Sequence, residues 1–138
     1  MSTHDEAKAY ISQLNSKVRP LAQQTHKILL AQGCTSYVKT IYVGYDIDGV
    51  MVAAMYGHAD HLELALALPE DAEGDILVDA SHLTWRTLPV AALIKAKQDL
   101  PLCEVLVADA CNRIRLDSHD VNRDNEFFTK SRRERDRP

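Results

Sequence analysis

Residues 40–69, TIYVGYDIDGVMVAAMYGHADHLELALALP, are the stretch that decides the fold of this chain. The first half is rich in β-branched and aromatic residues and is interrupted by Asp48-Gly49. This dipeptide favours a type I′ turn, because both of its residues tolerate positive φ, and the pattern therefore predicts a β-hairpin. In a regular register the hairpin pairs Ile47 with Val50, Tyr45 with Val52, Val43 with Ala54 and Ile41 with Tyr56.

The leucines at positions 62, 64, 66 and 68 alternate with other residues, which predicts a third strand rather than a helix. The length of the preceding loop decides which face they occupy. A four-residue loop places them on the face of Met51 and Met55, whereas an odd loop, residues 57–61, places them with Val43 and Val52. We favour the odd loop because it collects the large apolar side chains into one core under the helices.

That register gives the three-stranded sheet an unusual outer face. The face carries Tyr42, Gly44, Met51, Ala53, Met55, Glu63, Ala65 and Ala67. Sheet faces that contact water are normally polar, and an exposed apolar patch is typical of a partner or ligand surface. The alternative is that residues 70–97 or the C-terminal tail cover the face.

Apolar residues at helical spacing predict three helices around this sheet. The first two span about residues 7–14 and 18–33, with Pro20 in the first turn of the second helix and Gly33 at its end. The third begins near Asp99 and reaches about residue 115. His26 lies just off the apolar stripe of its helix and is expected to be solvated or half-buried.

A fourth strand is predicted within residues 85–94, where Pro89 would confine it to an edge or a bulge; a helix over residues 91–98 stays open as the other interpretation. The fold class is therefore α+β. It consists of an antiparallel sheet of three to four strands, with the N-terminal helices and the C-terminal helix packed on one face.

The chain of 138 residues predicts one domain, residues 1–116, followed by a tail, residues 117–138. Twelve of the 22 tail residues are charged, so the tail is expected to be disordered, or ordered only against a partner, with Phe127 and Phe128 as its apolar anchor.

The net charge of −4 disfavours nucleic-acid binding, except for a weak contact through the basic end of the tail. No apolar run is long enough for a membrane span, and MSTHDEAKAY lacks the pattern of a secretory signal. Three cysteines without CxxC spacing favour thiols in the cytoplasm.

The chain contains no GxSxG, GxGxxG or P-loop motif, so we assign no catalytic residue and no cofactor and favour a non-enzymatic role. The candidate ligand-binding residues follow from the outer face, with an apolar floor and a polar rim. They are Tyr42, Met51, Met55, His61 and Glu63. A metal site formed by His58, His61 and Glu63, with or without His82, is a third hypothesis. We assign no metal ligand, because HxxH spacing suits two ligands on a helix and not on a strand.

Beyond these patterns the chain resembles an uncharacterised bacterial family, the domain of unknown function 5655 family, a relative of the YdhG-like group. The resemblance covers about residues 18–116 and rests on TIYVGYDIDGVMVAAM, HLELALALP, ILVDASHL and a final helix. It implies a small α+β domain with helices on one side of an antiparallel sheet. Some members of the family adjoin restriction or nuclease-like modules, others are described as transport proteins, and the YdhG-like group is linked to iron chaperoning.

The sequence thus predicts a binding or interaction domain that forms a homodimer through the outer sheet face. The alternative is a small-molecule or iron-type metal binding protein that uses the same face.

Overall fold

The computed structural model describes residues 3–83 and 85–123. Within these residues three α-helices and six β-strands are found, together with single 3₁₀ turns at 81–83 and 97–99. The helices are α1 (Thr3–Ser12), α2 (Arg19–Ala31) and α3 (Leu100–Arg123), and the strands are β1 (Thr35–Val38), β2 (Val43–Ile47), β3 (Val50–Gly57), β4 (Leu62–Leu66), β5 (Leu77–Asp79) and β6 (Val90–Ile94).

The strands form one antiparallel sheet in the order β1-β2-β3-β4-β6-β5, which confirms the α+β class. The predicted number of three to four strands is wrong. A turn closed by Lys39 N–H and the Tyr42 carbonyl (2.9 Å) separates β1 from β2, and β5 adds a further strand beside β6. The strand predicted within residues 85–94 is β6. It lies inside the sheet rather than at an edge, because Pro89 precedes its first residue and removes no N–H from the ladder.

The β2–β3 hairpin contains the predicted type I′ turn and one feature that the sequence did not indicate. Asp48 and Gly49 have φ values of 53° and 79°, as that turn requires. Ile47 pairs with Val50 as predicted, but beyond a bulge Tyr45 pairs with Ala53 instead of Val52. The extra residue, Val52, shifts the rest of β3 by one position and exchanges its two faces.

The β3–β4 register corrects the prediction of an odd loop. Met55 lies opposite Leu64 and Gly57 opposite Leu62, so the connection is the four-residue loop 58–61. The leucines do share a face with Met55, as a four-residue loop requires. Because the bulge has moved Met55 to the helix side, the leucines still enter the core.

The helices cover one face of the sheet. On α2, Nδ1 of His26 hydrogen-bonds the hydroxyl of Tyr45 at 2.8 Å; both residues are buried, so the prediction of a solvated or half-buried His26 is wrong. A Cβ on Gly57 would contact the side chain of Leu14, just after α1. From α3, Val107 and Cys111 are fully buried in the same core.

Side chains on the opposite face include Tyr56 and Glu63, which pair directly between β3 and β4. Ala54, Ala65 and Ala91 share that face by alternation and are fully buried, although the described α-helices pack against the other face. The segment that reaches this face is the β5–β6 connection, residues 80–83 and 85–89, here called the covering loop. Its His82 and Trp85 contact Glu63 and Tyr56 respectively.

Helix α3 continues beyond Leu116 to Arg123, so the predicted tail begins with helix. Phe127, Phe128 and the rest of residues 124–138 lie outside the described residues. Among the helices that the structure describes, none is sufficiently long and apolar to span a membrane.

Candidate functional site

The structure does not gather the five predicted ligand-binding residues into one site. Met55 is fully buried on the helix side of β3. Tyr42 and Glu63 belong to the outer face, His61 lies in the β3–β4 loop, and Met51 lies at the opposite end of β3. The predicted outer face combined residues from both sides of the sheet because the bulge at Val52 was not foreseen.

Glu63 is the most buried of the acidic side chains on the outer face, with 4% of its surface exposed. His58 Nε2 donates to one carboxylate oxygen at 2.9 Å, and His82 Nε2 donates to the other at 2.6 Å. Both imidazoles are largely exposed at the surface. Since a carboxylate removed from water is costly unless it is bonded, we interpret this trio, here called the Glu63 clip, as a fastener between β4 and the covering loop.

Three aromatic side chains form a second fastener on the same face. The indole N–H of Trp85 donates to the hydroxyl of Tyr56 at 2.8 Å. Tyr42 packs against both rings, edge-on to Trp85, with centroid distances of 5.5 Å. Because Tyr56 lies directly opposite Glu63, the clip and the aromatic cluster adjoin each other and hold neighbouring parts of the covering loop.

His61 takes no part in the Glu63 clip. Its ring stacks on His58 with centroids 4.6 Å apart, and its Nδ1 bonds Asp60 at 2.8 Å. That hydrogen bond lowers the pKa of the exposed Asp60 carboxyl. A shallow depression lined by Asp60, His61, Leu93 and two lysines lies beside this loop.

The metal hypothesis had proposed that His58, His61 and Glu63 meet, with or without His82. Three of these four side chains do meet, but both imidazole nitrogens that face Glu63 are used in hydrogen bonds to it. Within residues 3–83 and 85–123, no three His, Cys, Asp or Glu side chains are arranged to hold a metal ion.

A groove forms at the end of the sheet where β3 begins and β4 ends. These two ends adjoin because the strands are antiparallel, and the covering loop and α3 close the sides. The groove has a volume of about 350 Å³, within the range of small-molecule sites. It is lined by Val50, Met51, Ala67, Leu68, Pro69, Glu70, Arg86, Thr87, Pro89, Arg113 and Ile114. We call it the arginine groove.

Two arginine residues from separate elements line the arginine groove, Arg86 from the covering loop and Arg113 from α3. Arg113 Nη1 donates to the carbonyl oxygen of Ala67 at 2.8 Å, which holds α3 against the end of β4. That bond uses one of the five N–H donors of a guanidinium group. Glu70 is the acidic side chain of the lining, so positive charge predominates there.

Sequence reasoning identified Met51 but missed both arginines of the groove. Arg113 belongs to a helix whose sequence signal is its apolar stripe, and Arg86 lies in a segment for which the sequence predicts no single element. The two residues are far apart in sequence and share no motif, so no local pattern indicates that they line one groove.

The chain matches no protein-family model, no curated protein and no solved structure.

Proposed function

We propose that this protein is a non-enzymatic binding domain that holds a small amphipathic anion in the arginine groove. The observation that supports this proposal is the convergence of Arg86 and Arg113 on a largely apolar groove of about 350 Å³. A guanidinium group binds carboxylate or phosphate with two parallel hydrogen bonds. The side chains of Met51, Leu68 and Pro89 offer an apolar surface for the remainder of such a ligand.

Binding rather than catalysis is favoured by the chemistry of the lining. Among the described residues that line the groove, the ionisable groups are two arginines and the exposed Glu70. General acid–base or nucleophilic catalysis usually relies on a histidine, a cysteine or a carboxyl group placed within reach of the substrate. The lining instead resembles a site that orients a charged ligand.

The prediction of a homodimer assumes that the apolar outer face of the sheet is uncovered. Ala54, Ala65 and Ala91 on that face are buried within the single chain, and His82 and Trp85 of the covering loop contact the same face. The homodimer therefore stays a prediction, and light scattering checks it, since a dimer has twice the chain mass of 15.5 kDa.

Membership of the domain of unknown function 5655 family and a cytoplasmic location also stay proposals. The proposed family membership is supported by the packing of the helices on one side of an antiparallel sheet. The three cysteines, all free thiols, agree with the cytoplasmic location.

The proposed function is tested by titrating ¹⁵N-labelled protein with sodium hexanoate and with phenyl phosphate, using hexanamide as the uncharged control. We expect chemical-shift changes at residues of the groove for the two anions and not for hexanamide. R113Q should weaken binding at least tenfold, because an arginine–anion contact is worth more than about 1.4 kcal/mol when partly desolvated.

The matched control is R115Q, which removes the same charge from the same helix, two residues away and on a different side. It should leave binding unchanged. R86Q provides a second test that leaves the Arg113–Ala67 bond intact. Chemical-shift changes only at residues outside the groove, or equal losses of binding affinity in R113Q and R115Q, would contradict the proposed site.

A further inference from the structure

Two cysteine sulfurs from distant parts of the chain are in contact inside the protein. Cys34 lies between α2 and β1, and Cys111 lies on the buried side of α3; their Sγ atoms are 3.8 Å apart. Cys34 is 5% exposed and Cys111 is fully buried. Residue 33 is exposed and residue 32 is partly exposed, so Cys34 directly follows a segment that contacts solvent.

We propose that Cys34 and Cys111 are a redox modification site that a small peroxide converts into an intramolecular disulfide. This inference rests on the sulfur contact and does not depend on the proposed ligand site.

The environment of the two thiols assigns them different roles. The S–H group of Cys34 hydrogen-bonds Cys111, which lowers the pKa of Cys111 and raises that of Cys34. The guanidinium of Arg115, which bonds the carbonyl oxygen of Gln32, also lowers the pKa of Cys111. The reactive form of cysteine is the thiolate, so Cys111 is the nucleophile and Cys34 is the resolving thiol.

The reaction has two steps. The Cys111 thiolate attacks one oxygen of hydrogen peroxide; an S–O bond forms, the O–O bond breaks, and hydroxide leaves. The Cys34 sulfur then attacks the Cys111 sulfenic acid; an S–S bond forms, the S–O bond breaks, and the thiol proton leaves with the oxygen as water. In total two thiols lose two electrons and peroxide is reduced to two water molecules.

Forming the product requires a movement of the two sulfur atoms. A disulfide requires sulfurs about 2.05 Å apart, so rotations of the two side chains must close the present 3.8 Å. The bond would join the end of α2 to α3 across 77 positions of sequence. Because a cross-link of this span restricts the unfolded chain, the oxidised protein should unfold at a temperature roughly 5–10 °C higher.

Cys103 supplies an internal control. It is buried on the same helix, but burial raises the pKa of its thiol to about 12. Its thiol is therefore expected to stay reduced while the pair reacts.

The test treats the folded full-length protein with hydrogen peroxide, removes the excess, denatures it and labels remaining thiols with N-ethylmaleimide before peptide mapping. We expect a Cys34–Cys111 linked peptide, a labelled Cys103, and return of all three thiols after treatment with a phosphine reductant. C103S should give the same linked peptide. C34S should give a dimedone-reactive sulfenic acid at Cys111.

Wild-type mapping alone can overturn the inference, so it does not depend on variants that fold poorly. Labelling of all three cysteines after peroxide treatment, oxidation of Cys103 at the rate of the other two, or disulfides only between chains would each refute it. A dimedone adduct on Cys34 in C111S, with none on Cys111 in C34S, would refute the assigned order of steps.

Discussion

We expect the two sides of the Glu63 clip to differ in their effect on stability. Removing its two histidines should lower the free energy of unfolding more than removing the glutamate. In H58A/H82A the carboxylate stays buried and loses both donors. In Glu63→Leu the buried charge disappears, and the two exposed imidazoles can hydrogen-bond with water instead. Breaking a buried pair from one side is expensive, whereas replacing its buried member by an apolar residue of similar size is often nearly neutral.

The magnitudes follow from the exposure of each partner. A hydrogen bond to a charged group contributes about 1.5–3 kcal/mol. The side chains of His58 and His82 are 42% and 55% exposed, so water partly replaces each imidazole and the lower figure applies. We therefore expect H58A/H82A to lower the free energy of unfolding by about 3 kcal/mol, and Glu63→Leu by less than about 1 kcal/mol.

A double-mutant cycle measures the coupling. The histidine truncations should cost about 0.5 kcal/mol in the Glu63→Leu background, which is the contribution of the ring stack between His58 and His61. Urea unfolding followed by far-UV circular dichroism gives each free energy, and the fluorescence of Trp85, the one tryptophan, reports on the covering loop. If the histidine truncations cost as much with leucine at position 63 as with glutamate, the clip does not stabilise the fold through Glu63.

Three further predictions concern buried groups elsewhere in the domain. Gly44→Ala would place its Cβ against the ring of Tyr37 and should cost about 1–3 kcal/mol in urea unfolding. Tyr45→Phe removes the hydrogen bond to Nδ1 of His26 inside the core and should cost about 1–3 kcal/mol. Burial raises the pKa of the Cys103 thiol from 9.0 to about 12, so the folded protein keeps a proton that the unfolded chain loses. Stability should therefore fall between pH 9 and 12 by up to about 1.4 kcal/mol per pH unit, and C103A should reduce that slope.

Each of these predictions has a result that would contradict it, and the first has a control variant. Gly74→Ala, whose Cβ would meet nothing closer than 3.5 Å, should change stability by less than about 0.5 kcal/mol; equal effects at Gly44 and Gly74 would contradict the steric argument. An unchanged free energy of unfolding in Tyr45→Phe would show that the core bond contributes nothing. An unchanged pH slope in C103A would assign the alkaline loss to other buried groups, of which Tyr45 and Cys34 also have raised pKa values.

The helices and the alternating strand were predictable because their signals are local. Apolar spacing located all three helices, and the leucines of β4 alternate without interruption. Strands β1 and β5 were missed for physical reasons. The turn that separates β1 from β2 has no glycine or proline to mark it, and β5 is three residues long and largely exposed, so it carries no apolar alternation.

The candidate site was less predictable because its parts meet only through tertiary structure. Glu63 and two of its candidate partners were identified from their chemistry, and the structure does bring His58 and His82 to it. Which side of the sheet each residue of β3 faces depended on one bulge, and a bulge has no sequence signature as clear as that of a type I′ turn.

The bulge therefore provides a test of how the outer face is specified. Removing Val52 should leave Tyr45 opposite Ala53 and preserve every other pair of the hairpin, because the bulge absorbs the deletion. The chain should fold with Tyr56 still facing the covering loop and Trp85 fluorescence unchanged. The cost should be about 3 kcal/mol, from a fully buried valine side chain and its carbonyl bond to Ala67 N–H. Val52→Ala, which keeps the bulge, separates the side-chain part of that cost. If Trp85 becomes exposed in the deletion variant but not in Val52→Ala, the bulge itself positions the covering loop, and the pairing on either side of it does not. The same bulge would then also position Arg86, which that loop carries to the groove.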